Sequence, residues 1–231
     1  MHRDRTGLDG DRRRRRMTVR LFAAALAVTV PSVAVAPLAS PPTALATGTL
    51  EVDRHSPAVV KEATEAIRQY RQYVLLRTPT SLQLYNRARR EAARATAIAL
   101  RLDPRVMRRR WAAAGHRHQI AVLAALSQLG VRYRRNSSDP DVGFDCSGLT
   151  SWAWRRAGLS IPRSSGDQIS AAAPRRRVTA RAGDLVYYPG HVSMYLGVAG
   201  AIVHASDPED DVELAYIGRT VSWGDPTAAR G

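Results

Sequence analysis

The stretch Gly143-Phe144-Asp145-Cys146-Ser147-Gly148-Leu149 contains the only cysteine of the 231-residue chain. It opens a predicted helix that runs from Cys146 to Ala157 and ends at Gly158. The N-terminus of a helix carries unpaired N–H groups and partial positive charge, which favour the thiolate form of a cysteine. Asp145 is a suitable N-cap for this helix. We therefore predict that the helix presents Cys146 in its first turn as a nucleophile.

The single cysteine limits the chemistry available to the chain. It excludes an intramolecular disulfide and any metal site that needs several thiolates. Three interpretations remain open for Cys146: a buried structural thiol, a mixed-ligand metal site or a reactive thiol. A zinc site of Cys146, His191 and His204 has a permitted ligand set. Because a nucleophilic thiol explains the same three residues, we expect no metal and no other cofactor.

Two histidines lie in predicted strands downstream of the cysteine. His191 follows a Pro-Gly turn in Gly190-His191-Val192-Ser193-Met194-Tyr195-Leu196, and His204 lies in Ala201-Ile202-Val203-His204-Ala205. Antiparallel pairing of two such strands brings their side chains together. An imidazole beside a thiol takes its proton, and a second polar group holds the tautomer of that imidazole. The pattern predicts Cys146 as nucleophile, His191 as base and His204 as the orienting residue.

The order of the predicted elements indicates the fold class. Helices come first, from Gln119 to Leu129 and from Cys146 to Ala157. Short strands bounded by Gly, Pro or Asp follow: Asp184 to Tyr188, Val192 to Leu196, Ala201 to Ala205 and Val212 to Tyr216. Helices segregated ahead of an antiparallel meander predict an α+β fold.

Five ordered blocks of sequence resemble one known family. They are GFDCSGL at residues 143–149, IPRSS at 161–165, AGDLVYY at 182–188, GHVSMYLG at 190–197 and AIVHAS at 201–206. These blocks resemble the NlpC-type cell-wall peptidases, a papain-like family, over about residues 118–220. The resemblance implies a papain-like domain in which N-terminal helices pack on an antiparallel sheet. It also implies the same three roles for Cys146, His191 and His204.

The resemblance further implies a substrate and additional site residues. The family's reaction is hydrolysis of a D-γ-glutamyl–diamino-acid amide in the stem peptide of peptidoglycan. Tyr133 matches a contributor to the oxyanion region. Positions that line the substrate groove, around the free amine and the D-Glu side chain, match Asp145, Ser147, Arg163 and Ser164. An acyltransferase that uses the same thiol with an amine acceptor stays open.

One segment departs from the family pattern. Arg134-Arg135-Asn136 stands where family members usually have Trp-Gly-Gly after the tyrosine. The replacement removes an aromatic wall and two glycines that let the loop turn tightly. An alternative function therefore stays open, in which the protein is a wall-binding or regulatory module, non-catalytic or weakly catalytic, with a degenerate groove.

Positive charge is concentrated ahead of this region. The whole chain has a formal net charge of +15, and residues 54–118 carry +11 against +1 for residues 119–231. Apolar residues at spacings of three and four, on both sides of Thr78-Pro79-Thr80, predict two helices joined in a hairpin. We assign residues 47–115 to a basic α-helical region and residues 116–231 to the NlpC-type catalytic domain.

The basic residues of the helical region form a solvated face or attract a polyanion. We expect peptidoglycan as the partner of an exported protein. Anionic wall polymers are then the polyanion that the helical region attracts, and we expect no nucleic acid. The region docks the enzyme on the wall, covers its groove or acts only as a spacer.

Export is predicted from the first 46 residues. A basic run at Arg12–Arg16, an apolar stretch from Val19 to Ala36 and a small-residue site at Ala44-Leu45-Ala46 follow in the order of a signal peptide. A retained membrane anchor is the alternative, although the apolar stretch is short for a span and contains Pro31. We therefore expect a secreted or wall-associated protein that is cleaved after Ala46.

Overall fold

The computed structural model describes residues 51–206 and 211–229. The described residues all belong to one compact unit. The predicted signal peptide, residues 1–46, lies outside the described residues. Among the described helices, none combines the length and the apolar character that crossing a membrane requires.

The described residues contain six α-helices and eight strands. The helices are α1 (Pro57–Leu76), α2 (Pro79–Ala99), α3 (Pro104–Ala113), α4 (His116–Leu126), α5 (Cys146–Arg156) and α6 (Ser165–Ala171). The strands are β1 (Ser138–Asp139), β2 (Gly143–Phe144), β3 (Ala172–Arg175), β4 (Leu185–Tyr188), β5 (His191–Tyr195), β6 (Ala201–Ala205), β7 (Val212–Tyr216) and β8 (Ser222–Ala229). The predicted α+β class is confirmed.

One six-stranded antiparallel sheet dominates the C-terminal half of the molecule. Its strand order is β3-β8-β4-β5-β6-β7, and β1 pairs separately with β2. The four predicted strands correspond to β4, β5, β6 and β7, with ends that agree within one residue. The sequence analysis did not predict β1, β2, β3 or β8. The last of these lies between β3 and β4 and therefore joins the meander to the sheet edge.

The two faces of the sheet bury different clusters because side chains alternate along each strand. Leu185, Val192, Met194, Val203 and Leu214 belong to the main core with the buried faces of α4 and α5. The opposite face carries a smaller cluster, whose buried members are Ala180, Val186, Tyr195, Ile202 and Trp223. Helix α5, which begins at Cys146, is thus held against one face of the sheet.

The two long helices, α1 and α2, pack along their alanine-rich sides. Ala63 and Ala66 of α1 and Ala92 of α2 are fully buried, and such small side chains permit close helix contact. The connection is Arg77-Thr78, in which Thr78 caps α2 and exchanges hydrogen bonds with Ser81. Only two residues therefore separate the end of α1 from the start of α2.

The helical region and the sheet are also tied together directly. Trp111 of α3 donates its indole N–H to the carbonyl of Leu196 at 2.9 Å. The hydroxyl of Tyr216 on β7 donates to the carbonyl of Leu100 at 2.6 Å. Buried residues from both parts form one continuous hydrophobic cluster. The two regions assigned from the sequence therefore pack together in one unit.

A buried polar cluster fastens α4 to β4 and β8. His118 Nε2 lies 3.2 Å from Asp184 Oδ1 and 3.3 Å from Asp225 Oδ1. Burial lowers the pKa of His118, but the hydrogen bonds that its ring donates to Asp184 and Asp225 outweigh burial and raise that pKa above its ordinary value. Arg175 and Thr227 also donate to Asp225. In this cluster the buried carboxylates are therefore paired with basic side chains and accept hydrogen bonds from protein donors.

Candidate active site

Cys146 is the first residue of α5, and the local structure explains its position. Asp145 is the N-cap, and its Oδ1 accepts a hydrogen bond from the N–H of Gly148 at 2.7 Å. A side chain at Gly148 is not tolerated there, because an added Cβ lies 1.9 Å from the carbonyl oxygen of Ser137. The glycine lets the preceding loop pack on the first turn, and Cys146 stays 9% exposed.

Three of the predicted groove residues form one cluster beside the thiol. Arg163 donates two hydrogen bonds to Asp145, from Nη1 to Oδ1 at 2.9 Å and from Nη2 to Oδ2 at 2.6 Å. Its Nη1 also donates to Ser147 Oγ at 2.9 Å. Burial alone raises the pKa of Asp145, but Arg163 and the Gly148 N–H lower it below its ordinary range. Asp145 is therefore an ionised carboxylate at neutral pH.

Ser164 lies apart from that cluster and has a structural partner. It caps α6, accepting from the N–H of Asp167 at 3.2 Å and donating its hydroxyl to Asp167 Oδ2 at 2.6 Å. A substrate role for Ser164, Asp145, Ser147 and Arg163 stays a prediction.

The two histidines meet as predicted. His191 begins β5 and His204 lies on β6, and His191 Nε2 is 3.0 Å from His204 Nδ1. The ring of Tyr188 stacks on His191 with centroids 5.0 Å apart. Burial lowers the pKa of His191 to about 4, and the electrostatic influence of His204 and Arg219 acts in the same direction. His191 is therefore a neutral imidazole at neutral pH, which is the form that accepts a proton.

The sequence analysis missed a carboxylate next to His204. Glu213 on β7 is the direct cross-strand partner of His204. Its Oε1 lies 3.3 Å from His204 Nε2, at ion-pair distance but off the direction of a well-aligned hydrogen bond. Its Oε2 accepts from Arg54 Nη1 at 3.0 Å. Interaction with His204 outweighs burial and, together with Arg54, lowers the pKa of Glu213 to about 2.

Tyr133, Cys146 and His191 line one open pocket of about 280 Å³. The remaining lining residues are Tyr188, Pro189, Gly190 and Ser206. Since His191 Nε2 faces His204, Nδ1 is the ring nitrogen left for the thiol. The pocket lining includes no residue of α1 or α2, so these described helices do not cover it. The structure thus brings together the predicted nucleophile, base and oxyanion residue at one surface.

The Arg134-Arg135-Asn136 segment turns without a glycine. Asn136 adopts a left-handed backbone with φ of 60°, a conformation that asparagine tolerates better than most residues. The Ser137 N–H donates to the carbonyl of Arg134 at 3.1 Å, and the Arg134 N–H donates to Phe144 at 2.9 Å. The loop that carries Tyr133 is therefore closed by backbone hydrogen bonds.

This arrangement is suited to nucleophilic acyl transfer. It combines a thiol at a helix N-terminus, a neutral imidazole and a second imidazole that contacts the first. Backbone N–H groups at the start of α5 are available to a developing oxyanion. Among the described residues, His118, Asp184 and Asp225 are the group whose atoms are close enough for one metal ion, and they lie in the separate buried cluster.

Comparison with known proteins identifies relatives of the C-terminal half. The family model of the NlpC/P60 family matches residues 130–225. A probable endopeptidase of Corynebacterium glutamicum is 38% identical over 128 residues, 53% of this chain and 60% of that protein. The peptidoglycan endopeptidase RipB of Mycobacterium tuberculosis is 42% identical over 80 residues, 33% of each. The chain thus spans less than two thirds of either relative.

A solved structure also resembles the same half. The P60 domain of an antigen of M. avium subspecies paratuberculosis is 30% identical, with a TM-score of 0.45. The match covers 48% of this chain and 96% of that domain.

Proposed function

Residues 130–225 form a domain of the NlpC/P60 family, and on that premise we propose that the protein is a peptidoglycan endopeptidase with Cys146 as its nucleophile. The observation that carries the proposal is the shared pocket, in which Cys146 and the neutral His191 lie beside Tyr133. The names of the relatives, a probable endopeptidase and a peptidoglycan endopeptidase, support the same substrate class.

Acylation begins with transfer of the thiol proton of Cys146 to His191 Nδ1. The thiolate attacks the carbonyl carbon of the amide, and the carbonyl oxygen becomes an oxyanion. N–H groups at the start of α5, with the hydroxyl of Tyr133, stabilise this oxyanion. The C–N bond breaks, His191 gives its proton to the leaving amine, and an acyl-thioester remains on Cys146.

Deacylation uses the same groups in reverse. His191 Nδ1 takes a proton from water, and the resulting hydroxide attacks the thioester carbonyl. The C–S bond breaks, the acid product leaves, and the proton of His191 returns to the Cys146 thiolate. His204 holds the His191 ring in place through both steps.

The bond proposed for cleavage is the D-γ-glutamyl–diamino-acid amide of the stem peptide. The cluster of Asp145, Ser147 and Arg163 beside Cys146 supports this proposal, because it places a carboxylate, a hydroxyl and a guanidinium next to the nucleophile. A free amine is attracted by the carboxylate, and the D-Glu carboxylate is attracted by the guanidinium.

We also propose that the protein acts outside the cytoplasm. The basic run, apolar stretch and small-residue site within residues 1–46 support export. The substrate class of the relatives agrees with that location, because peptidoglycan lies outside the cell membrane.

Mass spectrometry of muropeptides tests the proposed function. Mature protein and its C146A variant are incubated with purified peptidoglycan, and both are first shown to have the same melting temperature. We expect new fragments with the intact thiol alone, with masses that identify a γ-glutamyl bond. Intact muropeptides with both proteins contradict the proposal. In that case, wall binding that survives the loss of Cys146 favours the binding-module alternative.

The helical region contributes attraction to anionic wall polymers in this proposal. Its charge of +11 lies in residues 54–118, and several arginines of α2 are exposed. Deletion of the helices is a poor test, because they share the core of the domain. The variant R71Q/R87Q/R90Q/R94Q removes four exposed charges, and R155Q/R156Q/R176Q/R177Q is its control. We expect weaker, less salt-sensitive wall binding for the first variant alone.

A further inference from the structure

We propose that Glu213 and Arg54 are positioning residues of the active site: Glu213 holds His204 in the one tautomer that lets His191 act as a base, and Arg54 orients Glu213. The inference rests on the proposed function and deepens it. Glu213 lies within the matched domain, whereas Arg54 lies outside residues 130–225, in the segment before α1. The N-terminal region is therefore connected to the catalytic chemistry.

The contacts form an unbroken chain from Arg54 to the base. Arg54 Nη1 lies 3.0 Å from Glu213 Oε2, and Glu213 Oε1 lies 3.3 Å from His204 Nε2. His204 Nδ1 lies 3.0 Å from His191 Nε2. The backbone carbonyl of Arg54 also accepts from the N–H of Leu214 at 3.0 Å, which ties the segment to β7. Side chain and backbone of Arg54 thus both hold the strand that carries Glu213.

The chain of contacts dictates where the protons lie. A carboxylate only accepts hydrogen bonds, so the Nε2 of His204 that faces Glu213 carries the proton. In a neutral ring, His204 Nδ1 is then an acceptor, and His191 Nε2 must donate to it. His191 Nδ1 is thereby left with a lone pair for the thiol proton of Cys146.

The opposite tautomer of His204 disables the base. Its Nδ1–H points at His191 Nε2, which then has to accept. The proton of His191 moves to Nδ1 and faces the thiol, where no acceptor remains. Glu213 also stabilises the positive charge that the histidine pair carries after His191 takes the proton. Both effects originate in a carboxylate that is 4% exposed and lies on the neighbouring strand.

The two residues contribute unequally. The side chain of Arg54 is 57% exposed, so its ion pair is screened by water and salt. Its direct share is a modest orientation of Glu213, whereas Glu213 itself touches His204. Arg219 and Tyr188 also lie near His191, and they are unchanged in every variant used for the test.

Nitrogen-15 NMR of the histidine rings tests the proposal without depending on catalysis. In the full mature chain with C146A, we expect both His191 and His204 to be protonated at Nε2. E213Q retains an accepting oxygen and keeps this tautomer. E213A removes the acceptor, and we expect mixed tautomers of His204. R54Q retains the wild-type tautomer at low and high salt.

Kinetics of muropeptide cleavage supplies the second readout. We expect kcat to fall about 10- to 100-fold in E213A, with KM within about twofold. Losses of this size are typical when a residue that orients an active-site histidine is removed. E213Q lowers kcat less and moves the acidic limb of kcat/KM to lower pH, because a negative charge beside the histidine pair is lost. R54Q lowers kcat a few-fold, about 2- to 5-fold, consistent with an exposed pair. The variants E65Q and R68Q, from an exposed pair on α1, are matched controls and keep wild-type rates.

Two results overturn the proposal: one tautomer of His204 in both wild type and E213A, or kcat and acidic limb unchanged in E213Q. Glutamine has the same shape as glutamate, so we expect E213Q to fold. It therefore tests the role of Glu213 even if E213A fails to fold. If the wild-type chain cleaves no muropeptide while the ring nitrogens behave as expected, the proposed function fails and the tautomer assignment stands. If cleavage occurs and the tautomers do not depend on Glu213, only the inference fails.

Discussion

His191 Nε2 lies 3.0 Å from His204 Nδ1, and this contact leaves Nδ1 as the ring nitrogen of His191 that is available to Cys146, which lines the same pocket. The two residues are 13 positions apart and lie on adjacent antiparallel strands. A turn and two short strands are therefore sufficient to orient the imidazole that we propose as the general base. The thiol is supplied from the other layer of the fold, at the start of a helix.

The pH dependence of activity follows from the buried position of His191. Its pKa is about 4, below the ordinary value of 6.5, so the ring stays neutral and able to accept a proton down to that pH. We expect the acidic limb of kcat/KM near pH 4. R219Q removes a positive charge that lowers this pKa, so the limb moves toward higher pH. R155Q, on the exposed side of α5, leaves the limb in place. A limb near 6.5 in the wild type contradicts this prediction.

Gly148 is required by the packing of the first turn of α5. An alanine Cβ there overlaps the carbonyl oxygen of Ser137 at 1.9 Å, so we expect G148A to cost about 1–3 kcal/mol of unfolding free energy. Gly166 of α6 is the matched control, since nothing lies within 4 Å of its added Cβ. G166A should stabilise by about 0.5–1 kcal/mol, because alanine is the better helix former. Urea denaturation of both variants measures the difference, and equal effects count against the packing argument.

The buried cluster around His118 is expected to be essential for stability. H118Q leaves Asp184 and Asp225 buried without their shared partner, and we expect a loss of about 3–5 kcal/mol. H55Q, at an exposed histidine, is the control and should change stability little.

The pH dependence of that loss has a definite sign. The pKa of His118 is raised in the folded state, so its contribution is fully present below the ordinary value of 6.5. The contribution is lost as pH rises through the raised pKa. Denaturation curves of wild type and H118Q should therefore converge at alkaline pH, and curves that diverge there contradict the assignment.

Asp145 combines helix capping with an ion pair, and the two contributions are separable. D145N keeps a capping side chain but loses the charge that faces Arg163, so we expect a loss of about 1 kcal/mol. The pKa of Asp145 is lowered by Arg163, so the contribution is present above the ordinary value of 3.8. It disappears as pH falls through the lowered pKa. Melting temperatures at neutral and strongly acidic pH should differ between the two proteins only at neutral pH.

The left-handed residue Asn136 explains how the loop turns without the family's glycines. N136G should be neutral or stabilising because glycine has no Cβ to crowd the following carbonyl, whereas N136A should cost about 1 kcal/mol because alanine keeps the Cβ and loses the polar side chain that lets asparagine tolerate this conformation. Asn86 lies in the middle of α2, where N86G should destabilise instead. Chemical denaturation compares the three variants. Equal stabilities of N136G and N136A contradict the assignment of backbone strain to this position.

Most of the fold could be predicted from local sequence patterns. Strands β6 and β7 were predicted with their observed ends, because short runs of β-formers were bounded by turn residues. Strand β8, Ser222–Ala229, was missed because it contains Gly224 and Pro226 and has no clear alternation. It is a strand because β3 and β4 pair with it from both sides, and that pairing is tertiary.

The sequence allowed prediction of only those site residues that have a local chemical signature. A cysteine at a helix start and a histidine after a Pro-Gly turn are recognisable in the sequence. Glu213 is not, because it sits in the predicted strand Val212–Tyr216 like any polar residue. Its role depends on the register between β6 and β7, and a shift of one residue turns its side chain to the other face.

The sequence by itself determined the α+β class and predicted the nucleophile, the base and the orienting histidine, because helix and strand periodicities and local turn residues act over short distances. Only the tertiary structure decided that Glu213 contacts His204 and Arg54 contacts Glu213. It also decided that the basic helices share the core with the sheet. Those contacts join residues as far apart as Arg54 and Glu213, 159 positions along the chain. Their distances are set by the packing of whole elements, and no local pattern specifies that packing.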